Sequence, residues 1–138
     1  MLKISRVFLM LSLFAVSSWG QVFTGSLLGT RPQSPGDAAS SGVFLVELTG
    51  NTVTYAIFYF GSQGPTAAHI HQGSAGQTGS IVVDLAPSFV ALGGGFVATG
   101  TVSATLDVAS AIRANPAGYY VNVHTSAFPG GAARAQLA

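Results

Sequence analysis

Among 138 residues, the side chains best suited to chemistry are three histidines: His69, His71 and His124. His69 and His71 flank Ile70. On a β-strand, residues two apart point to the same side, so both imidazoles face one way while Ile70 turns into the core. Neutral imidazole is a common ligand for copper and zinc, and a His-x-His strand pair is a bidentate half-site. Taken alone, that pattern fits plain surface histidines equally well. His124 ends the run Tyr119-Tyr120-Val121-Asn122-Val123-His124. Tyr119, Val121 and Val123 form its apolar face, and Tyr120, Asn122 and His124 its polar one. A lone strand-end histidine ordinarily caps a neighbouring carbonyl, so metal chemistry requires the three imidazoles to converge. Asn122, Tyr120, Asp84 and Gln72 are then the residues placed to support the ring nitrogens.

The elements that must position these residues are mostly short strands. Val22 to Leu28 reads as a first strand, and Gly29 to Ser40, with Pro32, Pro35 and Gly36, as an irregular loop. Gly42 to Leu48 and Thr52 to Phe60 are rich in β-branched and aromatic residues and are joined by a short hairpin at Thr49-Gly50-Asn51. Val53, Tyr55, Ile57 and Tyr59 share one face of the latter strand, and Thr54, Ala56, Phe58 and Phe60 the other. Both faces are largely apolar, which predicts a central strand. Thr66 to His71, Ile81 to Leu85, Phe96 to Val102, Gly118 to Thr125 and Ala132 to Leu137 complete the strand set. Gly73, Gly76 and Gly79 mark the Gln72 to Ser80 segment as a loop with unusual backbone angles. Leu106, Ala109 and Ile112 recur at helical spacing between Ser103, a candidate cap, and Pro116, which predicts one short helix over 103–115. Seven or eight short strands at this spacing predict an all-β, Greek-key sandwich or barrel.

The first twenty residues differ from the rest. Lys3 and Arg6 precede an apolar run from Val7 to Val16, followed by the small residues Ser17, Ser18 and Gly20. This is the layout of a secretory signal, with cleavage expected after Gly20 and a mature domain over 21–138. The run is shorter than the roughly 20 residues a membrane span needs, so no stable membrane anchor is expected after its removal. The destination is the periplasm or the medium. After cleavage, three arginines (Arg31, Arg113 and Arg134) stand against four acids, a net charge of −1 with no lysine. There is no basic footprint for nucleic acid. The chain has no cysteine, so an exported domain must rely on packing and sheet hydrogen bonds without disulfides.

Four segments carry a family resemblance: Pro65 to Gly73, Gly79 to Leu85, Tyr119 to Thr125 and Phe128 to Leu137. In order and spacing they resemble the CHRD domain, named after chordin and also found alone in exported bacterial proteins. The resemblance covers nearly the whole mature chain. It implies an immunoglobulin-like β-sandwich or barrel and no settled activity. One departure is at Ala132, Ala133 and Ala135, which flank Arg134 where the family usually has an acidic residue and a glycine. A fainter similarity is to the copper half of copper/zinc superoxide dismutases. It implies His69, His71 and His124 as copper ligands and Arg134 as an anion-guiding arginine. The bridging histidine, the His/His/Asp zinc cluster and the disulfide of that family have no counterpart here.

No catalytic triad, nucleophile elbow or phosphate-binding loop appears, and no residue is assigned a catalytic role. The leading expectation is an exported CHRD-domain protein binding a metal, copper ahead of zinc, through the three histidines. Arg134, Asn122, Tyr120 and Asp84 would stand beside them. A second is a metal-free module that meets an extracellular protein or glycan through loops and aromatic strand residues such as Tyr55 and Tyr59. A third is a redox enzyme acting on superoxide; losing the bridging histidine counts against efficient dismutation. Oligomeric state is left open.

Overall fold

A computed structural model describes residues 20–31 and 34–138. The expected signal segment, 1–20, lies outside the described residues apart from Gly20. The strands are β1 (Gln21–Leu28), β2 (Thr30–Arg31), β3 (Ser34–Pro35), β4 (Ser41–Thr49), β5 (Thr52–Phe60), β6 (Ala67–Gln72), β7 (Ile81–Asp84), β8 (Val90–Leu92), β9 (Gly95–Ser103), β10 (Tyr119–His124) and β11 (Ala133–Gln136). One helix, α1 (Leu106–Ala114), and a 3-10 turn (Pro116–Gly118) lie between β9 and β10.

Nine strands form one antiparallel sheet in the order β7-β6-β10-β11-β1-β4-β5-β9-β8. The chain leaves β5, crosses to build β6 and β7 at the far edge, and returns to lay β9 beside β5. A single core cluster draws on Ile70 and Val83 near one edge and Ala98 near the other, so the sheet curls around one interior. The all-β class expected from strand spacing is what is found. Two details differ. The sheet has nine strands, because Val90–Leu92 pairs with β9 through the turn Gly93-Gly94, both at positive φ (61° and 80°). Two consecutive left-handed residues are what a tight primed hairpin turn needs. The segment read as an irregular loop also holds a small ribbon, β2 paired with β3.

The helix is shorter than expected. Thr105, not Ser103, is its N-cap, accepting the Val108 N–H on its hydroxyl oxygen, because Ser103 is the last residue of β9 and pairs with Thr52. Ala109 and Ile112 are its buried residues, as their spacing predicts.

β5 alternates strictly. Val53, Tyr55, Ile57 and Tyr59 are buried, while Thr54 and Phe60 are exposed and Ala56 and Phe58 half-buried. Tyr55 and Tyr59 therefore belong to the interior and offer nothing to a partner; β-alternation sends the whole odd-numbered set inward. Ile57 is 1% exposed in the middle of this strand. Ile57→Ala should lower unfolding stability by about 2–5 kcal/mol, measured as a shift in the urea midpoint without loss of the β-sheet signal in circular dichroism.

Candidate metal centre

All six residues of β10 are buried. Its apolar residues Tyr119, Val121 and Val123 enter the core. Its polar face is covered instead by two connections, Gln72 to Ser80 and Ser126 to Gly131, whose main chains meet His71, Tyr120, Asn122 and His124. The register then sets the site. One cross-strand row runs Asp84, His69, Asn122, Arg134, Leu28 across five strands, and the next runs Ile81, His71, Tyr120, Gln136. His124 is diagonal to His69, within reach of a directly packed side chain.

The three imidazoles converge. Ring centroids are 4.8 Å apart for His69 and His124, 5.7 Å for His69 and His71, and 5.8 Å for His71 and His124. One ring nitrogen from each lies within 4.8 Å of the others. The opposite nitrogens of His71 and His124 are hydrogen-bonded, and that of His69 faces an acid beyond hydrogen-bond distance. His71 Nδ1 donates to the Gly79 carbonyl at 2.9 Å, and His124 Nδ1 donates to the Pro129 carbonyl at 2.9 Å. His69 Nε2 faces Asp84 Oδ1 at 3.7 Å. The inward set is therefore His69 Nδ1, His71 Nε2 and His124 Nε2. His69 Nδ1 and His124 Nε2 are 3.0 Å apart, and two imidazole lone pairs at that distance repel unless a proton or a cation lies between them. His71 Nε2 is buried with no hydrogen-bond partner, although a buried polar atom without one is costly. An ion at 2.0–2.1 Å from each of three nitrogens separates them by about 3–4 Å; here one pair is 3.0 Å apart and the set spans up to 4.8 Å, so the rings would draw in slightly to share an ion. The donor set fits a divalent or monovalent soft-to-borderline cation.

Electrostatics keep the set ready. Burial pushes the His69 pKa down, helped by His124 and opposed by Asp84. Burial also lowers His71, opposed by the Gly79 carbonyl and reinforced by His124 and Arg134. Both stay neutral, the ligating form, near pH 7.

The surrounding residues expected from sequence fall into distinct places. Tyr120 stacks on His71 with centroids 4.9 Å apart and planes 8° from parallel, and its hydroxyl oxygen accepts the Gly79 N–H. The Arg134 guanidinium carbon lies 3.4 Å from the centroid of the same tyrosine ring. Arg134 is 5% exposed; it donates to the carbonyls of Gln77 and Ser74 and to Gln136 Oε1. Asn122 Nδ2 donates to the Gly130 carbonyl, which pins the loop carrying Pro129. Asp84 flanks His69 from an exposed position. Gln72 is exposed at the end of β6 and makes no hydrogen bond to a histidine. A cleft of about 390 Å³ opens over Tyr120, Asn122 and Arg134 beneath the 127–133 segment, but none of the three histidines lines it. The acceptors sequence reading missed, Gly79 and Pro129, act through main-chain carbonyls, which no side-chain pattern marks.

A family model for the CHRD domain matches residues 23–137. The chain belongs to the CHRD domain family. The match takes in all eleven strands except the first two residues of β1, and all three histidines of this CHRD domain. Comparison with curated proteins and with solved structures found no similar chain.

Two outcomes follow from this geometry. At Gly79, an added Cβ would sit 1.5 Å from the Gln72 carbonyl oxygen, a backbone atom that cannot step aside. Gly79→Ala should destabilise the domain by about 2 kcal/mol or more and weaken divalent-ion binding, both read from thermal unfolding with and without added ion. For pH, both shifted histidines have folded pKa values below the unfolded 6.5. The unfolded chain therefore takes up protons first as pH falls. Metal-free stability should be constant above pH 6.5 and decline below it until the folded values are passed. Urea unfolding between pH 8 and pH 5 checks this, and His69→Gln should flatten the decline.

Proposed function

We propose that this CHRD domain is an exported metal-binding protein that holds copper, in preference to zinc, on His69, His71 and His124. The observation that carries the reading is His71 Nε2, buried and without a hydrogen-bond partner beside two further imidazole nitrogens. Three neutral nitrogen donors suit copper and zinc alike, and at a given nitrogen site Cu(II) binds more tightly than zinc. Bound copper would supply a centre able to exchange one electron. The chain's own residues hold the ligands in place: the Gly79 and Pro129 carbonyls fix two tautomers, and Asp84 stands by the third. Tyr120 packs against His71, and Asn122 secures the loop over His124. Arg134, being buried and engaged with main-chain carbonyls, supports the site from within more readily than it steers anions from solvent. Binding or buffering is favoured over dismutation, because the histidine that would bridge a second metal is absent. Export is supported by the residues of the expected signal segment, with periplasm or medium as the destination.

The competing reading, a metal-free protein-binding module, draws on the outer face of β4, where Val43 and Leu45 are 56% and 42% exposed. Metal analysis of protein recovered from the export compartment separates the two, together with electron paramagnetic resonance after copper addition. One copper per chain with nitrogen hyperfine structure is expected, and at least tenfold weaker binding in His71→Ala, one lost ligand being worth well over 1.4 kcal/mol. Failure of the reconstituted wild type to retain either copper or zinc would remove the metal reading.

A further inference from the structure

Arg134, Tyr120 and His71 form a three-layer stack: guanidinium over phenol at 3.4 Å, phenol over imidazole at 4.9 Å. The stack ends on His71, one ring of the histidine cluster. Arg134 at one end and Tyr120 in the middle are nearly sealed from solvent, at 5% and 1% exposure. Water therefore screens this cation poorly. Asp84, the acid on the opposite side of the cluster, is 67% exposed at its side chain and well screened. At His71, against which the stack abuts, the buried guanidinium is the less screened of these two charges.

We infer that the Arg134–Tyr120 stack tunes the histidine site toward the lower-charged metal ion, so that the domain binds Cu(I) more tightly relative to Cu(II) than its three imidazoles alone would. This rests on the metal-binding reading above. The physical basis is that a fixed positive charge disfavours a dication more than a monocation at the same place. At a separation on the order of 10 Å and an effective dielectric near 20, the difference of one charge corresponds to roughly tenfold in relative affinity. The stacked tyrosine holds the guanidinium at that distance and keeps water from between them, while the Gln77 and Ser74 carbonyls fix it from the other side. Arg134 is a positioning and field-setting residue in this scheme; it touches no metal.

The test compares Cu(I) and Cu(II) affinities of the full chain, by competition with a chromophoric Cu(I) chelator and with a Cu(II) chelator of known strength. In Arg134→Gln, the ratio of Cu(I) to Cu(II) affinity should fall about tenfold, and Arg134→Lys should restore most of it. Because both affinities are read on the same folded preparation, a merely structural loss lowers them together and leaves the ratio alone. Should Arg134→Gln fail to fold, Gln77→Glu places an opposing charge on the exposed loop beside the guanidinium, and the ratio should move the same way by a few-fold. A ratio unchanged in every folded variant overturns the inference while leaving metal binding intact. Wild-type protein that binds neither ion overturns the metal reading itself.

Discussion

An imidazole has two nitrogens, and it can present one to a cation reliably only if the other is committed elsewhere. Everything at this centre follows from that constraint. His71 and His124 each give one nitrogen to a main-chain carbonyl, of Gly79 and Pro129. Those carbonyls lie on loops, and the loops are held by tyrosine, asparagine and arginine side chains from β10 and β11. If either loop lifted away, its histidine could rotate its donor nitrogen out of the cluster, and the convergent set would become three unrelated rings.

The sheet supplies the other half of the constraint. β6 and β10 are neighbours only because the chain crosses the sheet between β5 and β6, bringing together residues 55 positions apart in sequence. A slip of one residue in the β6–β10 register would send His69 and His71 into the core and Ile70 outward. Ile70 and Val121, paired directly and both at 0% exposure, make that slip expensive. The apolar alternation that builds the core is thus also the device that aims the ligands, and β10 can carry a polar outer face at a buried position because the loops over it satisfy what the core cannot.

Much of this was legible in the residues. Period-two alternation gave β5, β6 and β10, and with them the shared face of His69 and His71. Helical spacing gave α1, though its first turn was lost to β9, where ladder pairing at Ser103 outweighs a local capping preference. The histidines, Tyr120, Asn122 and Arg134 were identifiable by type, and the register places all of them but His124 in two adjacent rows, with His124 diagonal to His69. What could not be read was how the rows are closed. The Gly79 and Pro129 acceptors are backbone atoms, and the stacking order Arg134, Tyr120, His71 depends on a diagonal contact between β10 and β11 that spacing within one strand does not encode. Tyr55 and Tyr59 face the core and not a partner; a strand largely apolar on both faces gives little sign of which one turns inward.

The site's relation to stability differs from that of small domains folded by their metal. Those lack a core and gain their folding free energy from ligand binding. Here the interior drawn from both ends of the curled sheet, from Ile70 and Val83 to Ala98, is complete without any of the three histidines. The ligands sit on the opposite face, on strands already paired on both sides, with the tautomers of His71 and His124 fixed by neighbouring carbonyls. A centre so organised in advance loses little freedom when it takes up an ion, so more of the binding energy appears as affinity. It also leaves the surrounding charge, more than the fold, to decide which ion is held, and the guanidinium stacked two rings away is the charge positioned to do so.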